Sequence, residues 1–383
     1  MSPAPLAILD LVPISAGSNA AEALRNSIDL ARRAEEFGYQ RYWFAEHHLN
    51  PGVAGTSPAV VIALVAGSTS SIRLGAGAVQ LGHRTALSTV EEFGLLDALY
   101  PGRIDLGLGR SGGAGPKPGA AGPAPAPVGE LSRRQPFTTD NGLLIPSGFD
   151  FRSLLGSPRF GLIKELLQQP QAVSPDYGEQ IDVILALLRG TYRSPEGVEA
   201  HVVPGEGGQL QLWILGSSGG ESASVAGRNG LRFAANYHVS PATVLEAVEG
   251  YRAAFKPAEH AEGVAEPHVS VSADVVVAPT EEKARELAEG YGPWVRSIRT
   301  AEGAIAYPTP ADARAYPWSE ADQALVGDRL ETRFVGTAKS VADQLEILRE
   351  ATGADELIVT TITHEHADRV RSFELLAEEW AGR

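Results

Sequence analysis

Short, near-continuous apolar runs alternate with segments whose apolar residues recur at helical spacing, and this alternation limits the fold more than any other property of the chain. Residues 6–12 form the first such run. Asn19, with Glu22 three residues on, then reads as a helix start. Leu24, Ile28, Ala31 and Phe37 follow at helical spacing until Gly38. Residues 39–48 read as the second strand. Ser57-Pro58 opens the second helix, residues 72–81 form a Gly-rich third strand, and a third helix over Leu87, Val90, Phe93 and Ala98 ends at Tyr100-Pro101-Gly102. Residues 103–109, 210–216, 231–237, 269–278 and 356–362 continue the strands. Helices follow near Glu221, Thr243, Thr280 and Ala367. Strands apolar on both faces need cover on both faces, so they belong to a parallel sheet wrapped by helices. Six such units give an open doubly wound sheet and eight close a barrel. About eight are counted, so the expected fold is an α/β (β/α)8 TIM barrel spanning 1–383 as one domain.

Two long stretches break the rhythm. Residues 111–175 begin rich in Gly, Pro and Ala and directly follow a strand, which places them at the C-terminal face of a barrel as a lid. Residues 294–333 form a second insertion of mixed composition. The balance of 32 Lys and Arg against 47 Asp and Glu gives −15, which argues against nucleic acid and anionic membranes as partners. Zero cysteines exclude disulfides, thiolate nucleophiles and Cys-held metals and fit a cytoplasmic setting. No apolar run is long enough to span a bilayer, and the N-terminal run lacks a basic leader and is interrupted by Asp10.

Four places carry chemistry. Ala45-Glu46-His47-His48 ends the second strand, where a barrel projects its catalytic groups. Neighbouring strand residues point to opposite faces, so one histidine faces the site and the other packs, and an imidazole serves there as acid or base. His364-Glu365-His366 follows the last strand; joined with His47 and His48 it would make a metal site, but the helical H-E-x-x-H spacing is absent, and no metal is expected. Gly216-Ser217-Ser218-Gly219-Gly220, followed by Glu221-Ser222, lies between a strand and a helix. Small residues there expose backbone N–H groups to an anion, although many strand-to-helix turns use Gly without binding anything. Arg110 ends the fourth strand and can pair with a phosphate, or simply begin a surface loop.

Taken in order, residues 21–48 (AEALRNSIDLARRAEEFGYQRYWFAEHH), 91–110 (EEFGLLDALYPGRIDLGLGR), 214–218 (ILGSS), 335–361 (VGTAKSVADQLEILREATGADELIVTT) and 366–378 (HADRVRSFELLAE) resemble the bacterial luciferase-like flavin monooxygenases, in particular their single-chain oxidoreductase branch. The resemblance implies a flavin at the C-terminal mouth of the barrel. It gives His47 the catalytic role, Arg110 a grip on the flavin phosphate, and Ser217, Ser218, Gly219 and Ser222 the phosphate loop. It also implies a bulge with a non-proline cis peptide near Gly77-Ala78 beside the flavin ring, and places His48, His83 and His238 around the substrate pocket. One departure stands out: the branch's Leu-Pro-Asn-His stretch after the third strand is Leu81-Gly82-His83-Arg84 here, with Arg84 in the histidine position.

The function implied is a two-component monooxygenase. Reduced FMN from a separate flavin reductase and O2 would oxygenate a hydrophobic organic substrate, in a large-insertion enzyme of GC-rich composition a natural-product intermediate such as an aromatic polyketide. No Rossmann-type nucleotide domain is visible, in keeping with an external source of reduced flavin. The competing readings are a deazaflavin-dependent hydride-transfer oxidoreductase, a non-enzymatic flavin-binding protein and a histidine-based metal hydrolase. A homodimer through the second and third barrel helices is also implied.

Overall fold

The computed structural model describes residues 3–110, 134–258 and 260–383. Eight parallel strands close on themselves: β1 Leu6–Asp10, β2 Arg41–Phe44, β3 Arg73–Ala76, β4 Ile104–Gly109, β5 Gln211–Gly216, β6 Arg232–Asn236, β7 Val269–Val277 and β8 Glu356–Thr360. Each pairs in parallel with the next, and β8 returns to β1. The outer ring is α1 Ala20–Glu36, α2 Pro58–Ala66, α3 Ala86–Leu99, α4 Tyr177–Leu188, α5 Glu221–Arg228, α6 Val244–Ala254, α7 Ala338–Thr352 and α8 His366–Trp380. The chain is therefore a (β/α)8 TIM barrel, not the open sheet. Local signals act as read: the Asn19 side chain accepts from the Glu22 amide at 3.1 Å, and Pro58 opens α2.

Several strands are shorter than the sequence pattern predicts, β2 and β3 by the most. β2 stops at Phe44 because the next residues leave the sheet: the His47 amide donates to the Gly55 carbonyl at 2.8 Å. The run over 72–81 splits into β3 and a two-residue strand, Val79–Gln80, which pairs with Leu108 and Gly109; between them the Gly77–Ala78 peptide is cis.

Alternate residues of each strand point inward, and they differ sharply along the barrel axis. At the N-terminal end the layer is ionic, with Arg41, Asp105, Arg232 and Glu356 supplied by the four even-numbered strands. Arg41 donates to Asp105 at 2.8 Å, to Gln211 at 2.9 Å and to Glu356 at 2.9 Å, while Arg73 and the Trp43 indole also donate to Asp105, at 2.7 and 2.9 Å. Above it, Trp43 and Trp213 meet edge to face, ring centres 5.1 Å apart, both fully buried, and the Arg41 guanidinium lies 4.9 Å from the Trp213 ring centre. Glycines make room for this layer. A Cβ on Gly107 would lie 1.9 Å from the Ala76 carbonyl oxygen, and one on Gly75 would lie 2.8 Å from the Trp43 ring. Above this layer the barrel opens into a cavity.

The stretch between β7 and α7 is folded into helices Glu281–Ala288, Tyr291–Arg299, Pro310–Arg314 and Glu320–Glu331, so the second insertion sits at the C-terminal mouth. The lid expected over 111–175 lies outside the described residues for 111–133. Beyond that, Phe137–Thr138 pairs antiparallel with Leu144–Ile145, and helices Arg152–Leu155 and Pro158–Leu167 follow. Among the described residues no helix is long and apolar enough to cross a membrane.

Among the described residues Arg41 is the one cation bonded to both Asp105 and Glu356 at the closed end of the barrel. Arg41→Met leaves those carboxylates short of a partner and is expected to cost about 3–5 kcal/mol, read as a lowered urea midpoint with unchanged slope.

Candidate active site

The barrel mouth holds a cavity of about 380 Å³, within the size range of small-molecule sites. Its floor and walls come from the strand ends: Leu9, Trp43, Leu215, Ala234 and Ile358 are apolar, while Asn236, Ser272, Asp274 and Thr360 bring polar atoms. The second insertion closes one side with Trp294, Ile298, Ala304 and Arg329. Of the residues read from sequence, His47, Gly77, Ala78, Arg110 and His238 line this one cavity.

His48 and His83 line an adjoining pocket of about 190 Å³, shared with His47 and covered by Phe160 and Lys164 of the insertion helix Pro158–Leu167. The two histidines of the 45–48 motif thus serve two different spaces. Their common hub is Glu46. Its Oε1 takes His48 Nε2 at 2.9 Å and His83 Nε2 at 3.0 Å, and its Oε2 accepts the Gln80 amide at 2.9 Å. Arg84, in the position where the branch has histidine, reaches the same Oε1 at 3.4 Å. Burial alone would raise the Glu46 carboxyl, but the two imidazole bonds, the Gln80 amide and the Arg84 charge bring it down to about 2.

Glu46, His48 and His83 have ligand atoms within 4.8 Å of one another, the spacing of a metal site. The donor set fits a divalent ion poorly, because the Arg84 guanidinium already occupies the same carboxylate. His364 and His366 are elsewhere: His364 bonds Glu365 and the Ala16 carbonyl, and His366 bonds Asp29 at 2.9 Å. They do not join His47 and His48.

Burial pushes the His47 imidazole down from its ordinary 6.5, the His48 charge pushes the same way, and Glu46 opposes both. His238 goes further, down to about 4. Burial is the main cause, Asp274 opposes it, and Arg329 and His47 add to it. The His238 Nδ1 shares a 2.6 Å hydrogen bond with Ser272 Oγ. Both imidazoles facing the cavity are therefore neutral at pH 7.

Ser217, Ser218, Gly219 and Ser222 do not line the cavity. They sit at its rim, where β5 turns into α5, and Arg110 reaches that turn through a 2.8 Å ion pair with Glu221. The N-terminus of α5 has Gly220 at its cap and no side chain bonded to its free amides. Gly219 is packed so closely that a Cβ would lie 2.7 Å from the Glu246 carbonyl oxygen. The Ser217 carbonyl accepts from the Thr243 hydroxyl, and the Ser222 hydroxyl meets Tyr177.

A flavin mononucleotide fits this layout. Leu9, Leu215, Ala234 and Ile358 give the cavity apolar lining beside Trp43. The buried Asn236 Oδ1 and Thr360 Oγ1 have no hydrogen-bond partner among the described residues, and the cation and bare helix end at the rim suit a phosphate. Sequence reasoning missed Glu46, Asn236, Asp274, Trp294, Arg329 and Thr360. A signal for Asp274 was present: Ser270, Ser272 and Asp274 alternate within residues 269–278, which read as a plain apolar strand.

The family model described as luciferase-like monooxygenase matches residues 5–131 and 175–356. A Bacillus subtilis (strain 168) protein of uncharacterised function, YvbT, is 36% identical over 99% of this chain and 97% of its own length. An Escherichia coli (strain K12) luciferase-like monooxygenase is 33% identical over 96% of this chain and 94% of its own. Among solved structures, apo-MsnO8 superposes with a TM-score of 0.76 at 29% identity, covering 98% of both chains.

The depressed His238 pKa fixes a pH dependence. The unfolded histidine takes up a proton near its ordinary 6.5, whereas the folded one resists until about 4, so stability falls as pH drops through that window. His238→Gln removes this increment. Urea midpoints measured from pH 7 to 4.5 should decline less steeply for the variant than for the parent protein.

Proposed function

Because the chain belongs to the luciferase-like monooxygenase family, we propose that it is a two-component flavin-dependent monooxygenase that takes reduced FMN from a separate flavin reductase and, with O2, oxygenates a hydrophobic organic substrate, in keeping with a natural-product intermediate. The observation that carries this reading is the convergence of His47, Gly77, Ala78 and Arg110 on one enclosed cavity at the C-terminal mouth. Reduced FMN, when bound, supplies the electrons that activate O2.

The chain's own residues bind, orient and exclude water. Arg110 exchanges its Glu221 partner for the phosphate, and the free amides at Gly220 and beyond, with the Ser217, Ser218 and Ser222 hydroxyls, complete the cradle. Gly77 and Ala78 present a surface without long side chains to the ring, and Leu9, Leu215 and Ile358 keep water away. His47, neutral and buried, accepts a proton on its unprotonated ring nitrogen from the reacting groups and returns it. His48 and His83, fixed by Glu46, line the adjoining space that substrate enters.

Anaerobic titration tests the cofactor assignment. Reduced FMN is expected to bind tightly and oxidised FMN weakly; preference for the deazaflavin F420 would instead move the protein to hydride transfer. Arg110→Ala should weaken FMN at least about tenfold and leave riboflavin, which lacks the phosphate, nearly unchanged. His47→Ala should retain flavin binding and lose oxygenation, whereas unchanged turnover would remove His47 from the chemistry.

A homodimer is part of the same proposal. α2 and α3 pack side by side and expose Val60 and Leu64 from one helix and Leu95 and Leu99 from the other, with Leu99 75% exposed. Leu64→Glu with Leu99→Glu should convert a dimer in light scattering to a monomer of unchanged circular dichroism; a monomeric parent protein would contradict the proposal.

A further inference from the structure

The wall built by the second insertion carries two buried donors that no described residue accepts. Arg329 is 9% exposed and lines the cavity. Its bonds to Asp274 and to the Tyr291 hydroxyl both run through Nη2, and its Nε is buried without a partner among the described residues. Trp294, 3% exposed, lines the same cavity, and its indole Nε1 is likewise buried and unpartnered. Such groups are ordinarily satisfied, since a stranded donor costs about 1–3 kcal/mol. Both groups here are donors only and cannot satisfy each other.

The charge around them is not balanced either. Among the described residues Asp274 is the one carboxylate bonded to Arg329, and Arg333 stacks 3.8 Å from the ring centre of Tyr291, which also contacts Arg329. Asp328, the next acid along the helix, is taken by Arg299. The Asp328 charge also reaches Arg329, so three guanidiniums, Arg299, Arg329 and Arg333, stand against the carboxylates of Asp328 and Asp274, and Asp274 already accepts from the Tyr291 hydroxyl as well. His238, which faces the same group, is neutral at pH 7. The wall lacks an anion with at least two acceptor atoms.

We propose that Arg329 and Trp294 form the recognition site for a carboxylate on the substrate, so that the substrate class is an organic acid with an apolar body. This rests on the flavin-site reading above, because it assigns the opposite side of the mouth to the cofactor. Arg110 and the phosphate cradle belong to β4 and β5, and Gly77 to the end of β3. Arg329 and Asp274 stand on the β7 side, across the barrel. The apolar body of the acid lies against Ile298, Ala304 and Ile362. The guanidinium fork and the indole N–H take the two carboxylate oxygens, as charge-assisted hydrogen bonds favour.

Calorimetric titration of the intact protein with octanoate and 4-phenylbutyrate, and with their methyl esters, tests this. The acids are expected to bind at least about tenfold tighter than the esters. Trp294→Phe, which keeps the ring and removes only the N–H, should cut acid affinity about tenfold and leave ester affinity unchanged. Arg329→Gln should abolish the preference for acids. If Arg329→Gln disturbs folding by stranding Asp274, the Trp294→Phe result and the acid–ester comparison on the parent protein still decide the matter. Equal binding of acids and esters overturns the proposal. So does a Trp294→Phe variant that binds acids as the parent does. The same variants are titrated with reduced FMN under anaerobic conditions. Lost FMN affinity with acid affinity intact would show that the donors serve the flavin ring. No FMN binding by the parent protein would instead remove the cofactor reading, leaving the acid titration to stand or fall separately.

Discussion

The Arg41 guanidinium, sealed inside the closed end of the barrel, is the interaction on which the rest of the structure depends. It ties β2 to β4 through Asp105, to β5 through Gln211 and to β8 through Glu356. An apolar plug could have filled that end as well. The ionic one fixes which strands face one another, because each carboxylate must sit opposite its cation or pay a desolvation cost of several kcal/mol. The Trp43–Trp213 pair then rests on this layer and forms the floor of the cavity. Gly75 leaves the Trp43 ring the space it needs, and Gly107 lets β4 lie close against the Ala76 carbonyl of β3. The cavity thus begins where the filled bottom and middle of the barrel end.

Charge is distributed around that mouth with little waste. Glu46 absorbs two histidines and Arg84, so that side is fixed and nearly neutral. Arg110 is held by Glu221 at the exposed rim, where the contact is exchangeable. Arg329 and Trp294 keep donors in reserve on the insertion wall. His47 and His238 lie between these groups, and burial disfavours the charged form of both. A site with a neutral base, a phosphate-sized cation pocket and apolar walls suits chemistry in which a bound cofactor reacts and the protein positions and shields it.

Much of this was legible in the chain. The alternation of apolar strands and amphipathic helices is a property of local spacing, and it carried the barrel, its order and the strand ends. His47 and Arg110 stood out because strand ends are visible one residue at a time, whereas the Gly77–Ala78 bulge came from the family resemblance. What stayed hidden depends on closure. Arg41, Arg73, Asp105 and Glu356 look like solvent-facing strand starts until the sheet curls and points them at each other. Arg329 and Trp294 lie in a stretch of mixed composition with no strand or motif to mark them, and only the folded insertion brings them to the cavity. Arg84 reads as a departure from a histidine position, and its place as a third partner of Glu46 appears only in three dimensions.

The most direct test of the central claim is a crystal structure of the protein grown with FMN. The account predicts the phosphate between Arg110 and residues 217–222, with the Arg110–Glu221 pair broken, and the ring edge against Gly77 and Ala78. A phosphate seated on Arg329, with the Arg110–Glu221 pair intact, would contradict it and exchange the cofactor and substrate sides of the mouth.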